Sequence, residues 1–231
     1  MALARANLYG FLSTVFSAPP TAEWLAAARD RALLEILGEL GWTFAVDRAV
    51  HCEETVLAQE ELAVAFTRLM IGPGKGYVPP YGSIYLDRAG GASPLSSGGG
   101  DGSRRGDRPQ LWGPSTIAVE QLYRAAGLEL VQGQIADHVG VELAFMRYLC
   151  ACEAHAAAEH DAMAAERWHR WQIVVLHDHL GRWVPAWAAT VERAATHPFY
   201  VAMVRLAVEF LAWDAEALSR PSLRGVTSCV L

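Results

Sequence analysis

Residues 72–87, Gly-Pro-Gly-Lys-Gly-Tyr-Val-Pro-Pro-Tyr-Gly-Ser-Ile-Tyr-Leu-Asp, constrain this chain more than any other stretch. Three early glycines and the Pro79-Pro80 pair stop a helix, because glycine costs backbone entropy and proline lacks an N–H donor. Yet the stretch is no polar linker. Tyr77, Val78, Tyr81, Ile84, Tyr85 and Leu86 are too many apolar side chains to leave in water. A structured, aromatic, irregular segment set between helical halves reads as one wall of a peptide-binding groove.

The flanking sequence is helical in pattern. Leu8, Leu12, Val15 and Phe16 recur at helical spacing, so residues 3–16 read as an amphipathic helix rather than a secretion signal, although Arg5 precedes an apolar run. Pro19-Pro20 ends it. Thr21 suits the N-cap of a second helix carrying Trp24, Leu25, Leu33, Leu34 and Leu37, closed by Gly38 and Gly41. A third, residues 46–70, places Leu62, Phe66, Leu69 and Met70 on one face. Residues 88–110 are rich in Gly and Ser, the composition of a flexible loop. A helix restarts at Pro114-Ser115 with Ile117, Leu122 and Tyr123 as contacts and Gly127 as its stop. Helix resumes from Ile135, with Val139, Leu143, Met146 and Cys150 on a stripe. Residues 159–180 carry Ile173, Leu176, His177 and Leu180 inward. Pro185 reads as a kink or short connection. A last helix from Pro198 buries Phe199, Met203, Leu206, Phe210 and Trp213, and the tail after Pro221 reads as frayed. With no sustained period-two alternation, the expected fold is all-α, one helical domain spanning residues 1–231.

A formal charge of −6, from 25 acidic and 19 basic residues, argues against a nucleic-acid binder. No run of about 18 uncharged apolar residues provides a membrane span. Of the cysteines Cys52, Cys150, Cys152 and Cys229, the 150/152 pair points roughly 200° apart around a helix, so free thiols in a reducing compartment are expected.

Chemical constellations are sparse. Glu166 and His169 have di-metal bundle spacing, but the motif occurs once where such a site needs it twice, so no metal is assigned. His177 and His179 face different ways on a helix, and His177 reads as a core histidine. Gly72 to Gly76 superficially resembles a phosphate cradle, yet it lacks the full spacing and the Ser/Thr after Lys75, and it follows a helix. Tyr81-Gly82-Ser83 lacks the second glycine of a nucleophile elbow. The chain therefore reads as a non-enzyme without cofactors. A nucleotide-dependent switch or enzyme using the Gly72–Gly76 loop is the alternative. Asp137-His138 opens a helix and reads either as a cap favoured by the helix dipole or as an acidic contact for an arginine-bearing ligand. Tyr77, Tyr81 and Tyr85 read either as core aromatics or as groove lining.

Four blocks, in order, resemble the TorD/DmsD/NarJ family of redox-enzyme maturation chaperones. They are Pro79-Pro80-Tyr81-Gly82-Ser83-Ile84-Tyr85-Leu86-Asp87; Trp112-Gly113-Pro114-Ser115-Thr116 with Tyr123 and Gly127; Ile135-Ala136-Asp137-His138 through Glu142-Leu143; and His179-Leu180, Trp183, Pro185 with Phe199-Tyr200. Ile135-Ala136 stand where the family has Pro-Glu, and the insertion at residues 88–110 is longer than usual. The resemblance implies an all-helical, TorD-like cytoplasmic chaperone, monomer or homodimer, without catalytic activity. Its partner would be the catalytic subunit of a molybdopterin- and iron–sulfur-containing oxidoreductase, recognised through a twin-arginine signal peptide and held until cofactor insertion. The implied client-binding residues are Tyr81, Gly82, Ser83, Tyr85, Asp87, Asp137, His138 and Glu142. Ser103-Arg104-Arg105 resembles the start of such a signal, which makes the 88–110 loop a candidate pseudo-ligand.

Overall fold

The computed structural model describes residues 1–24, 56–72, 74–87 and 112–220. The helix expected beyond Trp24, the first part of the 46–70 helix, Cys52, Cys229, the 88–110 loop with its Ser-Arg-Arg string, and the tail lie outside the described residues. The described elements are helices α1 (Ala2–Ser17), α2 (Val56–Phe66), the short α3 (Ser83–Leu86), α4 (Pro114–Ala125), α5 (Val139–Ala158), α6 (Ala162–Val175), α7 (Gly181–Ala194) and α8 (Pro198–Ser219). Wide π-helical turns extend α2 over Thr67–Ile71 and join α6 to α7 over Leu176–Leu180. No strand occurs among the described residues, and the fold is all-α.

Several helices begin where a side chain satisfies a free N–H group. Thr21 Oγ1 accepts from the Trp24 N–H at 3.1 Å, the N-cap its position predicts. Two histidines cap in the same way: His138 Nδ1 accepts from the Gly140 N–H at 3.1 Å, and His197 Nδ1 from the Phe199 N–H at 3.2 Å. Proline stands at the first position of α4 and α8, where no N–H is needed.

The long helices bury one continuous core. Helix α1 lies along α5, α5 folds back on α6, and α7 lies along α8. The predicted stripes Leu8-Leu12-Val15-Phe16, Leu62-Phe66-Leu69-Met70, Val139-Leu143-Met146-Cys150 and Phe199-Met203-Leu206-Phe210 are all buried. Each fully buried large apolar side chain contributes about 1.5–3 kcal/mol. At the end of α1 the helices nearly touch. Ser13 Oγ donates to the Gly140 C=O at 2.7 Å, and a Cβ on Gly140 would stand 3.2 Å from the Ser13 carbonyl oxygen. Only glycine lets α1 come this close to the first turn of α5.

Four expectations are corrected. Helix α5 starts at Val139 rather than Ile135, because His138 is held in an extended conformation by pairing with Tyr81. Ile117 is 53% exposed, since the inward stripe of α4 is Thr116, Val119 and Tyr123. His177 is exposed and His179 is buried instead, because the π turn adds a residue and rotates the inward face. Pro185 lies inside α7. The carbonyl that it cannot bond belongs to Gly181, the first residue after the π turn, so the irregularity is absorbed one turn upstream.

Sequence patterns do not disclose the polar cluster at the centre of the bundle. Arg5 Nε donates to Asp214 Oδ1 at 2.5 Å, and its Nη2 donates to Asp214 Oδ2 at 2.9 Å and to Gln172 Oε1 at 2.5 Å. The Tyr9 hydroxyl donates to the same Asp214 carboxylate at 2.6 Å. Gln172 in turn donates to Glu153 Oε2 at 2.9 Å and accepts from the Cys150 thiol. Burial pushes that thiol up to about 12, so Cys150 is inert. The Asp214→Ala variant strands a buried guanidinium and is expected to lose about 3–5 kcal/mol of unfolding free energy, read by urea titration of the far-UV signal. Replacing both partners, Arg5→Met with Asp214→Leu, is expected to recover most of that loss.

Candidate functional site

The segment after α2 leaves it as an extended strap and crosses the start of α5. The Val78 N–H donates to the Leu69 C=O at 2.8 Å and ties the strap to the π turn of α2. The Tyr85 hydroxyl donates to the Pro79 C=O at 3.2 Å, which closes the strap upon itself. At the crossing, the Gly82 N–H donates to the Asp137 C=O at 2.8 Å and the Val139 N–H donates to the Pro80 C=O at 2.9 Å. These two bonds frame the Tyr81–His138 bridge. They also satisfy the first free donor of α5, and His138 satisfies the next.

The acidic groups are engaged at helix N-termini. Asp137 Oδ2 accepts from the Ser83 N–H, at the start of α3, at 2.7 Å. Asp87 accepts from the Ser115 N–H, in the first turn of α4, at 3.2 Å and also from the Ser115 hydroxyl. Both placements suit the helix dipole. The cap of α5 is thus His138, while Asp137, one residue earlier, pins the strap.

Beneath the crossing lies a buried polar cluster. Glu142 points inward from the first turn of α5, and its Oε1 accepts from the Trp183 indole N–H of α7 at 3.2 Å. Tyr85 stacks on Trp183 with centroids 5.7 Å apart. A Cβ on Gly82 would stand 3.1 Å from that indole nitrogen, so the strap approaches α7 this closely only with glycine there. Asp137 and Glu142 are each 1% exposed. Asp137 Oδ1, Glu142 Oε2 and the Ser83 hydroxyl are buried without a hydrogen-bond partner. Each such group costs about 1–3 kcal/mol when left unpaired.

The electrostatics follow from this burial. Desolvation, and then the neighbouring Asp137 charge, push the Glu142 carboxyl well above its ordinary 4.5, and the Trp183 N–H only partly offsets them. Desolvation lowers His138 to about 4 against the pull of Asp137. His138 is therefore neutral near pH 7. Its Nδ1 is an acceptor, so Nε2 carries the proton and is a donor. Burial likewise lowers His179, and it raises Tyr81 and Tyr123. The Tyr123 hydroxyl donates to the Ala136 C=O at 2.8 Å.

The eight residues singled out in the sequence thus separate into two layers. Gly82, Ser83, Asp137 and Glu142 are buried, whereas Tyr81, Tyr85, Asp87 and His138 are half-buried and reach the surface. Tyr81 and His138 meet edge-on, with ring centroids 5.3 Å apart. Trp183, Tyr123 and His179 stand beside the Asp137 and Glu142 carboxyl groups as well. Their signal was present in the second and fourth sequence blocks, but spacing alone does not bring α4 and α7 to the strap. The glycine loop at Gly72 offers no cradle: the Tyr77 ring lies over it, where a Cβ would stand. His169, of the single Glu-x-x-His motif, faces Glu153 at 3.5 Å and the Leu218 C=O at 3.2 Å.

Comparison with known proteins gives a consistent answer. The model of the family described as nitrate reductase delta subunit matches residues 25–189. The chaperone protein TorD of Photobacterium profundum is 27% identical over 222 residues, which is 93% of this chain and 94% of that protein. The Tat proofreading chaperone DmsD of Salmonella typhi is 30% identical over 164 residues, covering 70% of this chain and 64% of its own length. The chaperone protein TorD of Vibrio cholerae is 26% identical over 224 residues, 93% of this chain and 91% of that protein.

The neutral amide in Glu142→Gln keeps an acceptor for Trp183 and removes the ionisable group. An acid raised in the folded state favours folding most fully below its unfolded value of 4.5, and that contribution is lost as pH rises toward the raised value. Glu142→Gln is thus expected to raise the melting temperature at pH 8, with the gain disappearing at pH 4. Calorimetry across that pH range measures it.

Proposed function

Because the chain belongs to the nitrate reductase delta subunit family, we infer that it is a system-specific chaperone of redox-enzyme maturation, with the strap–α5 crossing as its client-binding site. Its relatives are named as chaperones, not as enzymes, and the glycine loop lacks the geometry that a nucleotide switch needs. The client we propose is the catalytic subunit of a molybdopterin- and iron–sulfur-containing oxidoreductase, and the bound element its twin-arginine signal peptide. Among the described residues no helix is long and apolar enough to cross a membrane. We place the action in the cytoplasm, ahead of export, with residues 1–231 acting as one chaperone domain and residues 88–110 as a loop inserted in it.

The observation that carries this reading is the layering of the site. An aromatic rim of Tyr81, Tyr85 and His138 stands above two buried carboxyl groups that retain unpartnered oxygens. A signal of two arginines followed by an apolar segment offers both kinds of complement. Aromatic faces receive the apolar part and stack on guanidinium planes, and carboxylates accept paired N–H donors. Asp137 is the first candidate to meet an arginine, and Asp87, half-buried at the other end of the strap, is the second. Gly82 and Ser83 keep the strap close enough to α7 to shape the rim.

Affinity capture from cytosol with the tagged protein is expected to recover an intact catalytic subunit that still carries its signal peptide. Recovery of no such subunit would overturn the reading. The Tyr81→Ala variant removes rim area, and Asp137→Asn keeps an acceptor for Ser83 while removing charge. Each is expected to weaken binding of the client's signal peptide about tenfold, or about 1.4 kcal/mol, with circular dichroism unchanged. If both bind as the parent does, the groove lies elsewhere.

A further inference from the structure

Two neighbouring carboxyl groups buried from water need a cation or a proton. Glu142 Oε1 takes the Trp183 N–H, Asp137 Oδ2 takes the Ser83 N–H, and the other oxygen of each is unpartnered among the described residues. Besides Tyr85 on the strap, which stacks on Trp183, the ionisable groups around the pair among the described residues are Tyr81 on the strap, Tyr123 on α4, His138 at the cap of α5 and His179 on the π turn before α7. Desolvation raises the two tyrosines and lowers the two histidines, so all four are uncharged near pH 7 and none supplies a positive charge. Asp178 and Arg182 flank His179 on its exposed side. Helix α1 faces the start of α5 with Ser13 and Ser17, which do not ionise. A second carboxylate here would be both desolvated and beside a like charge. Protonation removes that cost.

We propose that Glu142 stands as a neutral acid in the free protein and becomes the second carboxylate of the arginine subsite, so that each signal peptide bound displaces one proton from Glu142 to solvent. The inference rests on the signal-peptide reading above and adds a role to a residue in it. The balance is simple. The carboxyl O–H bond of Glu142 breaks, its proton passes to buffer, and the carboxylate oxygens accept guanidinium N–H groups. Nothing is oxidised or reduced. Asp137 Oδ1, Glu142 Oε2 and the Ser83 hydroxyl are three buried acceptors for the planar five-donor fork of arginine. Arginine therefore satisfies in the complex the groups that are left unpaired in the free protein. Because protons compete with the ligand, affinity rises with pH, by at most tenfold per unit, until Glu142 ionises in the free protein as well.

The test is isothermal calorimetry at neutral pH in buffers of differing ionisation enthalpy. The probe is a synthetic peptide that begins Ser-Arg-Arg and continues as a Leu/Ala-rich apolar segment. Release of close to one proton per peptide is expected from the unaltered protein. The Glu142→Gln variant is expected to bind about tenfold more weakly, with release near zero and affinity nearly independent of pH. Infrared difference spectra provide a readout that needs no variant: the C=O stretch of a protonated carboxyl is expected to vanish on peptide addition. Binding without proton release, or release that persists in Glu142→Gln, overturns the assignment while leaving the signal-peptide reading intact. Absence of peptide binding overturns both.

Discussion

The buried Arg5–Asp214 pair is the constraint on which the other helices depend. It joins residues 209 apart in sequence and draws in Tyr9, Gln172 and Glu153, so that α1, α5, α6 and α8 share one polar centre. Such a pair is a poor source of net stability, because desolvation offsets much of its attraction. Its effect is on register. Sliding α1 by one residue along α5 would leave a desolvated guanidinium without its two-oxygen partner. Apolar stripes tolerate such slips far better than a bidentate ion pair does. The result is that the last turn of α1, from Ser13 to Ser17, meets Gly140 at the first turn of α5.

That first turn carries the candidate site. With α5 anchored by α1, the strap needs only two backbone hydrogen bonds at the crossing to set Tyr81 against His138 and Ser83 against Asp137. The strap stays irregular because its donors and acceptors are satisfied by other elements: the π turn of α2, the α5 cap and the Tyr85 hydroxyl. Glycine at 82 then determines how closely the strap packs on Trp183. The three polar atoms left without partners at Ser83, Asp137 and Glu142 contrast with the satisfied cluster around Arg5.

Much of this was legible in the residue order. Helical spacing predicted the buried faces of α1, α2, α5 and α8 nearly residue by residue, since a 3.6-residue period allows few other arrangements. The aromatic content of residues 77–87 marked the strap as structured. Two of the failures share a cause. His177 and His179 exchanged places, and Pro185 entered a helix, because a π turn changes the period without leaving a mark in composition. Helix α5 began later than its pattern suggested because pairing with the strap withdrew His138 from it.

The amino-acid sequence by itself determined that the chain is a helical bundle interrupted by one apolar, proline- and glycine-bearing strap, because periodicity and backbone chemistry are local properties. Only the tertiary structure decided which acids are buried, which histidine caps α5, and that Arg5 lies at the centre of the bundle. Desolvation and hydrogen-bond pairing depend on neighbours brought together from distant positions. Asp137, Asp87 and Glu142 are equivalent as letters. Their different roles arise from what α3, α4 and α7 place against them.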